Sequence, residues 1–286
     1  MPSQSQNEFV LTSSVRTEIV LRVSERTTPT DALLAGIDAS DSAVYDALST
    51  LRSRGLLTED DGGWELTAHG HLVADSVSEW LSSEEFRATD PAFWKNHQID
   101  VIPPAFRRRL PEVGEYEVVR DVPQEPNRCE DVAVGMLESA DHCEVTTPYY
   151  SRRHQEAIPR HPETRLLVTR EALDVSLRRY RDGRREELNN MEPAALRLTD
   201  CQFASVVTDE KLKFELPTVS GGGTDRHDGT GRTHPFERGS VAGTTALFVS
   251  ETESAVRWGR DLFEALWADS DPLGPYVERQ FPELLE

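Results

Sequence analysis

Histidines, cysteines and carboxylates, the residues that most often carry out catalysis, lie along this chain without a catalytic spacing. None of the eight histidines begins an HxK motif, and no GxSxG, HExxH or catalytic cysteine motif is present. Cys129, Cys143 and Cys201 are odd in number and widely separated, which argues against a disulfide framework or a cysteine zinc site. We therefore expect no catalytic residue, no cofactor and no bound metal, and we expect the three thiols to be buried structural groups.

Two further groups have the residue types of a metal site but lack its spacing. His69 and His71 lie two positions apart near a predicted helix start, so they do not share a helical face. His227, Asp228 and His234 lie in a glycine-rich stretch that lacks the GK[ST] sequence of a phosphate loop. Their spacing is unspecific, and neither group changes the expectation of no metal site.

One loop combines hydroxyl, aromatic and guanidinium groups that could bind a ligand. The stretch TPYYSRRHQ, residues 147–155, follows a predicted strand and opens a predicted helix. Open α/β sheets bind ligands at this edge, outside the carboxyl ends of their strands. The candidate residues for an anionic or aromatic small-molecule effector are Thr147, Tyr149, Tyr150, Arg152, Arg153 and His154. The alternative is a packed loop with solvated arginines.

Arginines also cluster in the predicted helix SLRRYRDGRREEL, residues 176–188. The cluster consists of Arg178, Arg179, Arg181, Arg184 and Arg185. It could contact nucleic acid, or it could form a solvated face that pairs with Glu186 and Glu187 at helical spacing.

The stretch SDSAVYDALSTLRSRGLL, residues 40–57, predicts an amphipathic helix with a second, polar face. Its apolar residues Val44, Ala47, Leu48 and Leu51 recur at the spacing of one helical face. Ser40 or Asp41 can cap its start, and Gly55 can end it in a left-handed turn.

The neighbouring segments place this helix in a winged helix-turn-helix domain over residues 1–87. The segments SSVRTEIVLRVSE and TPTDALLAGIDAS predict two preceding helices with a tight turn before the third. After the helix, a hairpin with an Asp61-Gly62-Gly63 turn leads into another helix that starts near residue 68. Each local signal agrees with the next, so the order is more specific than any one segment.

This order assigns the polar face of the third helix to double-stranded DNA, because that helix enters the major groove. The candidate DNA-binding residues are Ser40, Ser42, Ala43, Tyr45, Asp46, Ser49, Arg52 and Arg54. Small and hydroxyl side chains can contact base edges, and the two arginines can reach phosphates or bases. Asp46 could accept from a cytosine amine or remain a solvated charge, and Tyr45 could meet a phosphate or pack on the second helix.

The composition is strongly acidic, with 51 acidic and 31 basic residues and only three lysines. Such a surface is typical of proteins from salt-accumulating halophiles, because at molar salt the Debye length is about 3 Å and self-repulsion is screened. Residues 1–90 carry six arginines and sixteen carboxylates, a formal charge of −10. DNA-binding domains are usually basic. A protein-interaction module that uses an acidic winged helix is therefore the alternative function.

The rest of the chain predicts a proline-containing junction over residues 88–128 and a mixed α/β effector or sensor domain over residues 129–286. Helices alternate with strands beyond residue 129, which favours a largely central sheet and an overall α+β or α/β class. Residues 219–240 form an exposed flexible insertion by composition. Winged helices usually bind DNA as dimers, and Trp80, Phe93, Trp94 and Phe106 are the candidate homodimer contacts.

No apolar run approaches the roughly 18–20 residues that span a membrane, and the N-terminus lacks a signal-peptide pattern. We therefore expect a cytoplasmic protein with no membrane partner.

The N-terminal winged helix and three later segments together resemble a group of archaeal, especially haloarchaeal, transcriptional regulators. The segments are FWKNHQIDVIPPAFRRRL, FASVVTDEKLKFELP and TESAVRWGRDLFEALWADSDPL. The middle domain of that family is named after a methanogenesis and filament-formation regulator, and its layout is similar to that of the TrmB-like sugar-responsive repressors. The resemblance covers nearly the whole chain and implies a DNA-binding regulator with an effector or dimerisation domain. It also implies a phospholipase D-like fold, here without the HxK catalytic motif.

Overall fold

The computed structural model describes residues 5–179, 195–219 and 246–282. The chain divides into two units, Met1–Glu85 and Phe86–Glu286. The insertion predicted at residues 219–240 lies outside the described residues from position 220 onward, as do Arg181, Arg184 and Arg185 of the arginine cluster. The group His227, Asp228 and His234 lies outside them as well.

The first unit has the predicted order of helices and hairpin, preceded by one helix that the sequence did not predict. Its elements are α1 (Gln6–Leu11), α2 (Ser14–Glu25), α3 (Thr30–Gly36), α4 (Asp41–Ser53), β1 (Leu57–Asp60), β2 (Gly63–Leu66) and α5 (Ala68–Thr89). The β1–β2 hairpin is antiparallel with Asp60 opposite Gly63. Thr28 and Trp64 exchange backbone hydrogen bonds of 3.1 and 2.9 Å, which fixes the hairpin beside the start of α3.

The core of the first unit is built on the apolar face of α4. Val44, Ala47, Leu48 and Leu51 are all at most 7% exposed, which confirms the predicted buried face. This face packs against α2 and α3, and the core also includes residues of α1 and the hairpin. Fully burying each of the Val and Leu side chains contributes about 1.5–3 kcal/mol, so the face fixes the rotation of α4.

The second unit is a mixed α/β domain, as the sequence predicted. Its elements are α6 (Pro91–Asn96), α7 (Pro104–Arg108), a 3₁₀ turn (Leu110–Val113), β3 (Glu117–Arg120), α8 (Arg128–Ser139), β4 (Glu144–Thr147), α9 (Arg152–Ala157), β5 (Arg165–Val168), α10 (Arg170–Arg179), β6 (Leu196–Leu198), β7 (Ala204–Val207), β8 (Leu212–Glu215), β9 (Ala246–Ser250), α11 (Glu253–Ala268), β10 (Asp271–Pro272) and α12 (Gly274–Gln280).

Eight of these strands form one sheet in the order β10-β6-β5-β4-β7-β8-β9-β3. The pairs β4–β5 and β5–β6 are parallel. The other neighbours pair antiparallel. The parallel part therefore has the helical crossovers α9 and α10, whereas β7 and β8 are joined by a short turn.

Helix α11 covers one face of the sheet, and its backbone lies close to the strands. The Trp258 side chain is fully buried, and its indole N–H donates to the Phe106 carbonyl at 3.1 Å. A Cβ atom at Gly259 would lie 2.9 Å from Leu212 and 3.0 Å from Val207. Glycine at this position lets the helix backbone approach the sheet.

The structure corrects the interpretation of residues 88–128 as a junction that supplies dimer contacts. Phe93 is only 1% exposed, and Trp94 and Phe106 pack partly buried in the same core cluster of the second unit. The Trp94 indole donates to the Tyr116 hydroxyl at 2.8 Å. Phe93 and Trp94 instead pack against Phe248 of β9 within their own chain. Of the four predicted contacts, Trp80 alone remains exposed, at 48%.

The three cysteines are free thiols, as expected. Cys129 and Cys143 are buried and Cys201 is partly buried. Burial is the main cause that raises the pKa of each thiol to about 12, so the reactive thiolate form is disfavoured. Among the described residues, no helix combines the length and apolar character needed to cross a membrane.

Candidate functional site

Helix α4 presents a polar face because its caps and its buried face fix both its ends and its rotation. The Ser40 hydroxyl accepts from the Ala43 N–H at 3.3 Å and caps the first turn. The helix ends at Ser53, and Gly55 follows with φ +70°, the left-handed turn that the sequence predicted. The unpaired N–H groups of the first turn give this end a partial positive charge.

The predicted DNA-contacting residues lie together on the outer side of this helix, with two differences in exposure. The residues whose side chains are exposed are Ser40, Ser42, Tyr45, Asp46, Ser49 and Arg52. Tyr45 is 53% exposed and lies one residue beyond the buried Val44. Ala43 and Arg54 are partly buried.

Arg52 connects this face of α4 to the hairpin. Its guanidinium lies 3.1 Å from the Glu59 carboxylate on β1, and both side chains are about half exposed. An exposed pair of this kind contributes about 0–1 kcal/mol, so the guanidinium can exchange Glu59 for another anion at little cost.

Arg54 has a different environment from the one that its sequence position suggested. Its guanidinium lies 3.7 Å from the ring centre of Phe9 and donates to the Gln6 side chain at 3.5 Å. Arg16 lies over the same ring at 4.0 Å, and burial together with Arg54 lowers the pKa of Arg16. The sequence analysis missed α1, and with it this packing role for Arg54.

The first unit therefore has few cations available for phosphates. Beyond Arg16, Arg52 and Arg54, the guanidinium of Arg22 contacts Glu18 at 2.7 Å, and Arg26 is exposed at the end of α2. One carboxylate of the hairpin, that of Glu59, lies beside the polar face of α4, since it contacts Arg52.

The second predicted site, the loop between β4 and α9, is connected to a charged pair inside the sheet. Lys213 and Glu215 on β8 are 1% and 7% exposed, and the Lys213 ammonium donates to Glu215 Oε2 at 2.8 Å. The Tyr149 hydroxyl donates to the same oxygen at 2.8 Å. Burial alone would raise the pKa of Glu215, but Lys213 and the Tyr149 hydroxyl hold it below its ordinary value.

Helix α9 carries a second set of polar contacts toward α8. The Ser151 hydroxyl caps α9 and donates to Glu130 Oε1 at 2.8 Å. The Arg153 guanidinium donates to Glu130 at 3.2 Å and to Asp131 at 2.7 Å. Asp131 also lines an open cavity of about 460 Å³ at the start of α8.

The structure thus brings only some of the predicted ligand-binding residues into one cluster. Thr147 stabilises the loop, because its hydroxyl donates to the Tyr149 carbonyl at 2.7 Å. Arg152 instead pairs along α9 with Glu156 at 2.7 Å and is exposed. Tyr150 lies partly buried next to these groups in the chain.

Sequence reasoning missed Lys213, Glu215 and Glu130. The segment KLKFELP carried a usable signal, because Lys213 and Glu215 alternate with apolar residues and so share one face of a strand. Two of the three lysines of the chain lie in this segment, which is unusual for a buried strand.

Comparisons with known proteins match both units. Residues 126–269, half of the chain, match the family profile of the middle domain of the methanogenesis regulatory protein FilR1. Residues 4–88 match the profile of the HVO_A0261 N-terminal domain.

A curated relative, the methanogenesis regulatory protein FilR1 of Methanothrix harundinacea, is 26% identical over 267 residues. The match covers 88% of this chain but 54% of the relative, so the chain spans about half of the relative's length. A solved structure of TrmBL2, described as an archaeal chromatin protein with a novel mode of DNA binding, is 16% identical with a TM-score of 0.37. That alignment covers 94% of this chain and all of the TrmBL2 chain.

We expect Lys213→Met to destabilise the second unit by about 3–5 kcal/mol, because it leaves the Glu215 carboxylate buried without its partner. The double variant Lys213→Met/Glu215→Gln should recover most of this loss, since it removes both charges and keeps an acceptor for Tyr149. Urea unfolding at constant KCl concentration measures the free energies.

The pH dependence provides the control for this double-mutant comparison. Without Lys213, burial raises the pKa of Glu215, so the destabilisation of Lys213→Met should shrink as the pH falls toward about 4.5 and the carboxyl is protonated. A loss below about 1 kcal/mol at neutral pH in Lys213→Met would show that the pair is effectively solvated.

Proposed function

This chain belongs to the family that carries the FilR1 middle domain, and on that premise we propose that it is a DNA-binding transcriptional regulator. The observation that supports this most directly is the exposed polar face of α4, which is flanked by the β1–β2 hairpin. A relative described as a regulatory protein adds support and favours regulation over catalysis.

In this proposal α4 lies in the major groove and the β1–β2 hairpin acts as the wing beside it. Ser42 and Ser49 donate to or accept from base edges, and Ala43 packs against a thymine methyl group. The N–H groups at the start of α4 approach a phosphate, which the helix dipole favours.

The negative charge of the first unit limits which groups can contact the DNA phosphates. Phosphate contacts come from Arg52, backbone amides and bridging cations rather than from a basic surface. This mode suits a medium with molar salt, in which counterion release contributes little to affinity.

We also propose that the regulator acts as a homodimer through α5. Leu72 and Trp80 are eight residues apart on this helix, within one broad helical stripe, and they are 69% and 48% exposed. Two copies that pack these faces would present two α4 helices to paired half-sites.

The second unit is proposed to sense a small-molecule effector near the β4–α9 loop. The buried Lys213–Glu215 pair, the Tyr149 hydroxyl and the Arg153 contacts to α8 provide polar groups that a ligand could engage. Asp131, which accepts from Arg153, also lines the open cavity at the start of α8.

A protein-interaction module is the second candidate function, and the formal charge of −10 in residues 1–90 favours it. In that case the acidic surface of the first unit, which includes the hairpin, would bind a basic protein surface instead of a nucleic acid.

Two substitutions around Arg52 test the DNA-binding proposal in opposite directions. Arg52→Ala should weaken binding to an operator duplex about tenfold, because it removes one charge-assisted contact. Glu59→Gln should tighten binding about two- to fivefold, because it frees Arg52 and removes a carboxylate beside the DNA. Fluorescence anisotropy with duplexes from the protein's own promoter region measures both.

Glu138→Gln is the matched control, because it makes the same change in net charge at an exposed position on α8 in the other unit. It should leave the affinity unchanged. Equal effects of Glu59→Gln and Glu138→Gln would mean that only net charge matters and that Arg52 does not contact the DNA.

The dimer proposal predicts that Trp80→Glu yields a monomer near 32.2 kDa, whereas the wild type has about twice that mass. A buried carboxylate at the centre of the α5 contact is not compensated, so association should fail. Light scattering across micromolar concentrations gives the mass, and Val175→Glu, at a residue 41% exposed on α10, is the control. A monomeric wild type would overturn the proposal.

A further inference from the structure

We propose that His142, His161 and Glu163 form a binding site for a divalent transition metal ion. Each of the three side chains offers one ligand atom, and these atoms all lie within 4.8 Å of one another. This inference goes beyond regulation of DNA binding and does not depend on it.

The fold brings the three residues together through the parallel pairing of β4 and β5. His142 lies two residues before β4, and His161 and Glu163 lie in the turn before β5. Glu144 and Arg165, the first residues of these strands, are paired in register. Parallel neighbours begin at the same edge of a sheet, so residues far apart in the sequence become adjacent.

Backbone contacts hold the two turns in place. The Arg165 N–H donates to the Cys143 carbonyl at 3.0 Å, and the Thr164 N–H donates to the His161 carbonyl at 3.0 Å. The Cys143 N–H donates to the Thr164 hydroxyl at 3.4 Å, so each turn is tied to the other. The side chains therefore start from a fixed frame, which lowers the entropic cost of binding an ion.

The distances fit an ion with small adjustments of the side chains. The two imidazole rings have centroids 5.6 Å apart and are inclined at 33°. With metal–ligand distances of about 2.1 Å, tetrahedral ligand atoms are separated by about 3.4 Å. The exposed Glu163 side chain and the half-exposed His161 side chain can move inward by this difference, and His161 then gives up the 3.2 Å hydrogen bond that its Nδ1 accepts from the Glu163 N–H.

Asp209, in the turn between β7 and β8, lies next to the ring of His142. Its carboxylate lies 3.5 Å from His142 Nε2, and the Arg260 guanidinium donates to the same oxygen at 2.5 Å. A carboxylate that faces one ring nitrogen fixes the ring and leaves the other nitrogen for the ion.

The donor set selects the class of ion. Two imidazoles and one carboxylate suit Zn²⁺, Ni²⁺, Co²⁺ or Cu²⁺, whereas Mg²⁺ and Ca²⁺ prefer sets made of oxygen alone. The side chains of His142, His161 and Glu163 are 27%, 42% and 71% exposed, so water completes the coordination. The bound ion would cross-link the starts of β4 and β5 and stabilise the second unit.

The test uses the full, untagged chain after treatment with a chelator. Titration with ZnCl₂ in a calorimeter should show one ion per chain, and Co²⁺ should give the visible absorption of a site that contains nitrogen ligands. His142→Ala and His161→Ala should each weaken binding at least tenfold and abolish the rise in melting temperature that Zn²⁺ causes. Glu163→Gln and Asp209→Asn should weaken it less.

The double variant His69→Ala/His71→Ala is the matched control, because it removes two exposed histidines from α5 and should leave binding unchanged. Loss of binding in this control, or undiminished binding in His142→Ala and His161→Ala, would overturn the proposal. Absence of any Zn²⁺ or Co²⁺ binding by the wild type would overturn it as well. The exposed Glu163 side chain can be changed without disturbing the fold. If a histidine variant fails to fold, weaker Zn²⁺ binding by Glu163→Gln therefore still tests the site.

Discussion

The burial of Val44, Leu48 and Leu51 beneath α2 and α3 is the contact on which the functional interpretation depends. A helix of 13 residues with one face in the core has only one rotation available, so Ser42, Tyr45 and the other polar residues must face outward. The same core holds the hairpin beside α4 through Trp64, which is 6% exposed. Burial of the apolar face of α4 thus determines which of its residues face solvent, and these polar residues determine what the surface can bind.

In the second unit, by contrast, the packing of the sheet buries a few polar groups. Its sheet is covered on both sides, so the alternation of β8 places Lys213 and Glu215 in the interior instead of in solvent. A buried pair of this kind is stable only when its charged groups are paired and hydrogen-bonded, and the Tyr149 hydroxyl in the β4–α9 loop supplies a further hydrogen bond to Glu215. The β4–α9 loop, which the sequence predicted as a ligand site, therefore also stabilises the fold.

Local patterns predicted the elements well, and long-range pairing explains what they could not predict. Spacing alone identified the buried face of α4 and the turn at Gly55, because both depend on neighbours in the sequence. The packing of Arg54 on Phe9 depends on α1, a helix of six residues that is too short for a periodic signal. The burial of Phe93 depends on its contact with Phe248 on β9, which lies far along the chain. Likewise, His142 and His161 approach each other only through the register of β4 and β5.

The dependence of specific DNA affinity on salt tests the central claim most directly. Genomic fragments that the protein itself selects would supply the operator, and anisotropy against a scrambled duplex would be measured across KCl concentrations up to the molar range. With Arg52 as the phosphate contact of each protomer in a dimer, the slope of log K against log [KCl] should be about −2, and preference for the operator should persist in molar salt. If no fragment is preferred over scrambled DNA at any salt concentration, the polar face of α4 is not a DNA-reading surface.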